Sequence, residues 1–406
     1  MMKRMHMLKS SRKKIDSLIL ICAGLLFCVN SKAAQVIKNQ STVILDQSQE
    51  IFFEQFLPST FTLQLLQVKN KFNRHALVLG GVGEVDLQYW HGDEIPSTPI
   101  LNYQTGNGLY LSQVTIDFMG TPTNWGMAFL SLSDSQVGQG NGTNGNYYYI
   151  KHAFILLGNL DVFPLYAAIG INTIPFGIFT GSGVWDVPLT YVYFNPQQAP
   201  QIALSYFKNN LNLNVVYYRD EVNYERHFNA SFYYNNTLGN FKYTAGAGFI
   251  SNLKTNSTGS NSTPNVRKKI ILPDEMGDVW DFNASVNYKL LALAGEYLFA
   301  ANKVSNNNNK PQTYSLGLSF TPTIYDEVTT FGICKSVSLH FRNVSAMLSG
   351  QDATQLSSGG LKDKWAASIS RPLYLNNFVL GIDIERAVTY QSQHTMTYTL
   401  DMTAYL

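Results

Sequence analysis

The stretch TMTYTLDMTAYL, residues 395–406, alternates strictly in character from one residue to the next. Met396, Tyr398, Leu400 and Met402 occupy one set of positions, while threonine and aspartate occupy most of the other set. A period of two residues places the two sets on opposite faces of a β-strand. The stretch therefore predicts a strand with one apolar and one polar face, and the fold depends on whether protein or lipid covers the apolar face.

The same alternation recurs along the chain in segments of about ten residues, the length that a tilted strand needs to cross a bilayer. We count sixteen such segments, which predicts sixteen strands. They are expected to begin near residues 76, 109, 125, 147, 164, 201, 211, 228, 240, 278, 291, 312, 335, 364, 376 and 395.

The predicted connections alternate between long and short. The long ones, such as 174–200 and 251–277, run from eight to twenty-seven residues, and most of the others are tight turns such as 208–210. The exception is 321–334, which is long enough to contain an extended strand. Long loops at one end and short periplasmic turns at the other are typical of outer-membrane barrels, and a soluble sandwich or propeller has no reason for this asymmetry. The sequence therefore predicts an all-β protein, a closed antiparallel transmembrane barrel over residues 76–406, with lipid covering the apolar face.

The composition agrees with a barrel in the outer membrane of a Gram-negative bacterium. Aromatic residues make up 13% of the chain and charged residues only 14%, against about 25% charged in a typical soluble domain. Such barrels combine an apolar exterior, aromatic girdles and a polar but weakly charged interior. No segment after the N-terminal region has eighteen consecutive apolar residues, so no transmembrane helix is expected.

The N-terminal region has the pattern of a secretory signal peptide, predicted to span residues 1–33. Basic residues precede the apolar run Leu18 to Val29, and small residues follow at Ser31 and Ala33, where we expect cleavage. Cleavage after the next residue, Ala34, is the alternative. Removing residues 1–33 leaves 22 Lys and Arg against 26 Asp and Glu, a net charge of −4. This charge gives no indication of a nucleic-acid partner. The lone remaining Cys334 excludes an intrachain disulfide bond.

Residues 34–75 are predicted to form a short periplasmic segment that contains a helix. Phe61, Leu65, Val68 and Phe72 follow one another at helical spacing. Two interpretations are open: the helix lies against the mouth of the barrel, or it acts as a small plug or a docking helix for a partner.

Strand parity predicts which charged residues line the lumen. These side chains either keep the pore wet or set its charge selectivity and contact the solute. Arg342 is expected to hold carboxylates where the solute enters, because a guanidinium group binds them bidentately. The inward acids outnumber the bases, which predicts a mildly cation-selective pore. The lumen-lining candidates are Glu84, Asp86, Asp117, Lys242, Glu296, His340, Arg342, Asp383 and Glu385.

The 174–200 connection is too apolar for a free loop. Its aromatic residues Trp185, Tyr191, Tyr193 and Phe194 make it a candidate constriction that folds into the pore, or a lid.

Arginines at the outer rim indicate a lipid partner. By parity Arg219, Arg226 and Arg386 point outward near the extracellular end, where we expect them to contact lipopolysaccharide phosphates.

Neither catalysis nor a resident metal or cofactor is expected. Ser338 and His340 lie close in sequence, but parity turns both toward the lumen and away from a lipid substrate. The six histidines that remain after residue 33 are scattered over different segments, without metal-ligand spacing.

Three stretches resemble a known family. They are HALVLGGVGEVDLQYW (75–90), KHAFILLGNLDVFPLYAAIGINTIPFG (151–177) and the closing strand 395–406. Together they resemble the LbtU-type siderophore porins of Gram-negative bacteria. The resemblance implies a sixteen-stranded barrel that carries a ferric siderophore across the outer membrane. Two other functions are open on the sequence alone: a general diffusion porin, and a structural or adhesive surface barrel.

Overall fold

The computed structural model describes most of the barrel and one helix that precedes it. The described residues are 61–69, 76–92, 105–134, 148–179, 181, 188–196, 198–219, 226–251, 253, 269–270, 277–301, 310–325, 327–340, 346–347, 361–373 and 378–405. The predicted signal peptide, residues 1–33, lies outside these ranges.

Two helices and twenty strands occur in the described residues. The helices are α1 (Phe61–Lys69) and α2 (Leu189–Phe194). Neither is long and apolar enough to cross a membrane. The strands are β1 (Ala76–Gly92), β2 (Thr105–Thr121), β3 (Gly126–Asp134), β4 (Tyr148–Gly158), β5 (Leu165–Thr173), β6 (Gln198–Lys208), β7 (Leu211–Arg219), β8 (Arg226–Leu238), β9 (Phe241–Ile250), β10 (Lys269–Ile270), β11 (Val279–Tyr288), β12 (Leu291–Ala300), β13 (Gln312–Phe320), β14 (Thr323–Ile324), β15 (Glu327–Val328), β16 (Thr330–Leu339), β17 (Ala346–Met347), β18 (Leu361–Leu373), β19 (Phe378–Thr389) and β20 (His394–Tyr405).

Sixteen of these strands form a closed antiparallel barrel. Each barrel strand pairs with its neighbours in chain order, and β1 pairs with β20 to close the sheet. The four remaining strands form two small ladders, β10 with β17 and β14 with β15. Closure removes the unpaired edges that hydrocarbon does not tolerate. The predicted sixteen-stranded barrel is confirmed.

Alternation along each strand separates an apolar exterior from the interior. In β20, Leu400 is 41% exposed and Met402 is 50% exposed, while Thr399 and Thr403 are buried. The same contrast holds in β7, where Val215 is 59% exposed and Val216 is fully buried. A continuous belt of exposed apolar side chains on a closed barrel is what lipid covers in an outer membrane. The protein is therefore an outer-membrane barrel, and lipid covers the apolar face of residues 395–405.

The turns at the end of the barrel where β1 begins and β20 ends are tight, as the sequence predicts. Asn209 and Asn210 join β6 to β7 with φ values of 52° and 64°. A two-residue hairpin with both φ values positive is the type I′ turn, and asparagine tolerates this conformation better than most residues. These tight turns define the periplasmic end, and the long connections define the extracellular end.

The strand boundaries differ from the sequence-based ones by up to five residues. The largest difference is at β16, which begins at Thr330 and not near residue 335. The expected extended strand within 321–334 is in fact the small β14–β15 hairpin followed by the first residues of β16.

Candidate functional site: the barrel lumen

A chain segment crosses the lumen at the middle of the barrel. We call residues 174–179 and 188–196 the constriction segment; they belong to the connection between Thr173 of β5 and Gln198 of β6. Its described residues Ile174, Phe176 and Phe179 are buried, with 0%, 0% and 6% exposure. The described residues of this connection therefore pack inside the barrel.

Two carboxylates on the opposite wall hold the first half of the constriction segment. Ile178 donates its backbone N–H to Glu296 at 2.6 Å, and Phe179 donates its backbone N–H to the same carboxylate at 3.1 Å. Asp281, on the neighbouring strand β11, accepts the backbone N–H of Gly177. Glu296 lies in the middle of β12, so these bonds fix the segment at mid-height in the lumen.

Short helix α2 holds the second half of the segment against the wall. Leu189 donates its backbone N–H to the hydroxyl of Ser336 at 3.1 Å, and the Tyr193 hydroxyl donates to the carbonyl of Leu361 at 2.8 Å. Burial raises the pKa of the Tyr193 phenol well above its ordinary value, so the group stays a neutral donor. The ring of Tyr191 meets Phe179 edge to face, with ring centroids 5.5 Å apart.

Glycines in β9 make room for these contacts. A Cβ atom at Gly248 would lie 3.0 Å from the ring of Phe176, and one at Gly246 would lie 2.6 Å from the ring of Tyr233. Side chains at these two inward positions would push against residues that pack inside the barrel. The two glycines of β9 therefore leave room for the aromatic side chains that pack inside the barrel.

A second region of the lumen is lined by carboxylates. Asp86 of β1 and Asp401 of β20 are directly opposite each other in the ladder, and Glu84 lies one inward position away. Ligand oxygens of these three residues lie within 4.8 Å of one another. The Thr403 hydroxyl donates to both oxygens of Asp401, at 3.0 and 3.1 Å. We call the inner faces of β19, β20, β1 and β2 the carboxylate wall.

The predicted lumen-lining acids all lie on inward faces. Glu84, Asp86, Asp117 and Asp383 belong to the carboxylate wall and are buried. Glu296 binds the constriction segment as described above. Glu385 forms an ion pair with Lys364 at 2.8 Å, so its charge is compensated.

The predicted lumen-lining bases are arranged differently. Lys242 is on the inward face of β9 but next to the periplasmic turn, and it is exposed. His340 follows the last residue of β16 with a φ of 68°, so strand parity does not extend to it. Arg342 lies outside the described residues, and so does Trp185 of the predicted constriction. Their predicted roles stay predictions.

Helix α1 lies inside the barrel. The ring of Phe61 is 5.4 Å from that of Phe129, 5.1 Å from that of His152 and 6.1 Å from that of Phe154. These three partners are on the inward faces of β3 and β4. These contacts place the start of α1 against the lumen wall.

Three further charged residues point inward and are not among the lumen-lining residues predicted from the sequence: Asp281, Lys364 and Asp401. Asp401 and Asp281 follow the same parity as the predicted acids and were recoverable from the alternation alone. Lys364 was harder to place, because a bulge between Leu361 and Asp363 shifts the register of β18. The trio of Glu84, Asp86 and Asp401 was also missed, because the expectation of no metal site rested on histidine spacing.

The closed sheet of sixteen strands, with a segment folded into its lumen, defines a barrel of the porin fold. Solved structures with this fold are similar to it over most of their length. The outer-membrane channel DcaP of Acinetobacter baumannii has a TM-score of 0.52 at 12% identity, over 82% of this chain and 98% of that chain. An anion-selective porin from Comamonas acidovorans has a TM-score of 0.52 at 11% identity, over 82% and 100%. OprB of Pseudomonas putida has a TM-score of 0.51 at 10% identity, over 84% and 96%. Identities this low establish the fold alone.

The chain belongs to the family described as "Protein of unknown function (DUF3573)", whose model matches residues 20–277. No curated protein sequence matches the chain.

Proposed function

We propose that this barrel is a channel for small solutes with a preference for cations. The observation that carries the proposal is the carboxylate wall. Asp86 and Asp401 are directly opposite each other on adjacent strands, and an oxygen of Glu84 lies within 4.8 Å of theirs, so negative charge is concentrated on this part of the lumen wall. Among the described inward residues, Lys364 is already paired with Glu385. A lumen with this charge distribution attracts cations and repels anions.

The proposed preference is opposite to that of one structural neighbour. The Comamonas acidovorans barrel is an anion-selective porin. Selectivity in such barrels depends on the side chains that line the pore and not on the fold. A shared fold at 11% identity is therefore compatible with opposite selectivity.

The finer proposal concerns the cargo, which the resemblance to LbtU-type porins implies to be a ferric siderophore. The carboxylate wall favours ferric complexes of positive charge, such as a hydroxamate complex that carries a free ammonium group. Ferric complexes of polycarboxylates are anionic, and their passage depends on bases such as Arg342. The second candidate function is a general diffusion porin, and the third is a structural or adhesive surface barrel.

We further propose that the outer rim binds lipopolysaccharide phosphates. Arg219 and Arg226 are directly opposite each other at the extracellular ends of β7 and β8, and both are exposed. They share the outward face with the exposed side chains of Tyr217 and Phe228. An anionic headgroup between two opposed guanidinium groups stabilises their arrangement.

A transport role without catalysis completes the proposal. The Ser338 hydroxyl is buried and donates to the carbonyl of Leu361 at 2.5 Å, while Tyr390 donates to the Ser338 carbonyl at 2.7 Å. A serine engaged in this way supports packing of the wall and does not present a nucleophile to a substrate.

Planar-bilayer recording of the purified protein tests the proposal. Under a KCl gradient, we expect a reversal potential of the sign given by cation selectivity. A cationic ferric hydroxamate added to one side should reduce the current in a saturable manner, and a ferric polycarboxylate should not. Anion selectivity would contradict the cation preference. Current that neither complex reduces would favour the general diffusion porin, and no conductance would favour the structural barrel.

A further inference from the structure

Helix α1 is enclosed on more than one side. Phe61, Leu63, Leu65 and Leu66 are exposed by only 2%, 4%, 1% and 2%. At about 100° per residue these positions cover roughly 200° of the helix circumference. A helix that rests on the rim of a barrel buries a single stripe, so burial over this arc requires a surrounding structure.

The wall under α1 is built for an apolar occupant. Met127 and Phe129 of β3, and Phe154 and Leu156 of β4, point into the lumen and are buried. The inward face of β20 differs, since it carries Thr397, Thr399, Asp401 and Thr403, as a wet lumen requires. Without α1, these large side chains would line a water-filled pore. The inner face of β3 and β4 therefore complements the helix.

A polar contact fixes the orientation of the helix at its periplasmic side. The Thr62 hydroxyl forms a hydrogen bond with the hydroxyl of Tyr166. Tyr166 also donates to the Asn212 side chain at 2.9 Å. Tyr166 is the second residue of β5, and Phe129 is the fourth residue of β3, so both lie within a few residues of periplasmic turns. The helix thus occupies the periplasmic half of the lumen.

The helix and the carboxylate wall lie against adjacent parts of the lumen wall, because β2 pairs with β3. Apolar side chains of α1 cover β3 and β4, whereas Glu84, Asp86 and Asp401 lie on β1 and β20. While α1 is in place, its apolar side chains therefore occupy the β3–β4 side of the lumen, and the carboxylates remain on the β1–β20 side.

We propose that α1 is an intrachain plug that closes the β3–β5 side of the lumen, and that its withdrawal into the periplasm widens the solute path. The proposal rests on the channel function proposed above and adds its regulation. Withdrawal opens a route away from the carboxylates, so conductance rises while cation preference falls. A helix that only stabilises the fold would not couple conductance to cation preference. This coupling therefore distinguishes such a helix from a plug.

The first test places a charge on the helix. Leu65→Asp puts a carboxylate on the buried side and should displace α1, raising single-channel conductance at least twofold and lowering the cation-to-anion permeability ratio. Gln67→Asp is the matched control, because Gln67 is exposed on the same helix, and both quantities should stay at the wild-type values. Heat-modifiable gel mobility verifies that each variant has folded into a barrel.

The second test uses one protein in two states and applies even where Leu65→Asp fails to assemble. Phe61→Cys and Phe129→Cys are introduced in a Cys334→Ser background, and a short bis-maleimide joins the two thiols. We expect the cross-linked channel to conduct less than the same protein before cross-linking.

The outcomes separate the plug from the channel. Equal conductance before and after cross-linking, or a Leu65→Asp channel indistinguishable from the wild type, overturns the plug and leaves the channel function intact. No conductance in the wild type and in every folded variant overturns the channel function and the plug with it.

Discussion

Glu296 binds the backbone N–H of Phe179 with both carboxylate oxygens, at 3.1 and 3.2 Å. The two residues are 117 positions apart in sequence, because Phe179 belongs to the segment that follows β5 and Glu296 belongs to β12. Backbone N–H groups buried away from water need acceptors, and a carboxylate is a strong one. This inward side chain of β12 therefore holds the first half of the constriction segment, together with Asp281.

Replacing this carboxylate should loosen the constriction segment. Glu296→Gln keeps the shape but turns one acceptor into a donor that faces the N–H groups of Ile178 and Phe179. We expect the attachment to weaken by about 1.5–3 kcal/mol, the usual strength of a hydrogen bond to a charged group. Single-channel recordings should show more frequent current fluctuations. Glu84→Gln is the control, since it removes an inward carboxylate that belongs to the carboxylate wall; an equal increase in that variant would refute the assignment.

Neutralising the carboxylate wall should change selectivity. We expect Asp86→Asn, Asp401→Asn and their combination to lower the cation-to-anion permeability ratio stepwise, because each removes a negative charge from the same group of oxygens. Reversal potentials under a salt gradient measure the ratio. Asp161→Asn, at an exposed position in the β4–β5 turn, is the matched control and should have no effect. Unchanged ratios in the double variant would mean that solute passes elsewhere.

The barrel was predictable from the sequence because its determinants are local. Alternation over ten residues specifies the strand and its two faces, and loop lengths specify the two ends of the barrel. The pairing of Glu296 with the constriction segment was not predictable, because it joins residues 117 positions apart and no sequence period links them. The position of α1 inside the lumen was likewise open, since an amphipathic stripe does not distinguish between surfaces that it can contact. The inward direction of Lys364 depends on a bulge that shifts the register of β18.

Opposite faces of one strand should respond differently to the same substitution. Leu400 is 41% exposed on the outward face of β20, and its neighbour Thr399 is 5% exposed on the inward face. Leu400→Arg should destabilise the barrel by about 2–4 kcal/mol if the side chain is near the bilayer midplane. Thr399→Arg places the guanidinium among carboxylates and should cost much less. Urea unfolding in lipid vesicles measures both, and equal losses would contradict the assignment of the faces.

Labelling of intact cells tests which turns face the medium. Ser392 is exposed in the turn between β19 and β20, and Asn210 is exposed in the turn between β6 and β7. In a Cys334→Ser background, a membrane-impermeant maleimide should label Ser392→Cys in intact cells and Asn210→Cys only after the outer membrane is permeabilised. The reverse labelling pattern would mean that the barrel has the opposite orientation in the membrane and that α1 lies at its extracellular end.

A glycine in β9 should be intolerant of a methyl group. A Cβ atom at Gly246 would lie 2.6 Å from the ring of Tyr233 and 2.7 Å from the side-chain oxygen of Asn283. Both neighbours are buried, so neither can move away easily, and we expect Gly246→Ala to destabilise the barrel by about 1–3 kcal/mol. Gly120→Ala in β2 is the matched control, because no atom lies within 4 Å of a Cβ there. Its effect should be small or slightly stabilising, as fewer unfolded conformations are accessible to alanine. Urea unfolding in the same vesicles measures the stability of both variants. Equal stabilities would show that the interior near Tyr233 is less tightly filled than these distances indicate.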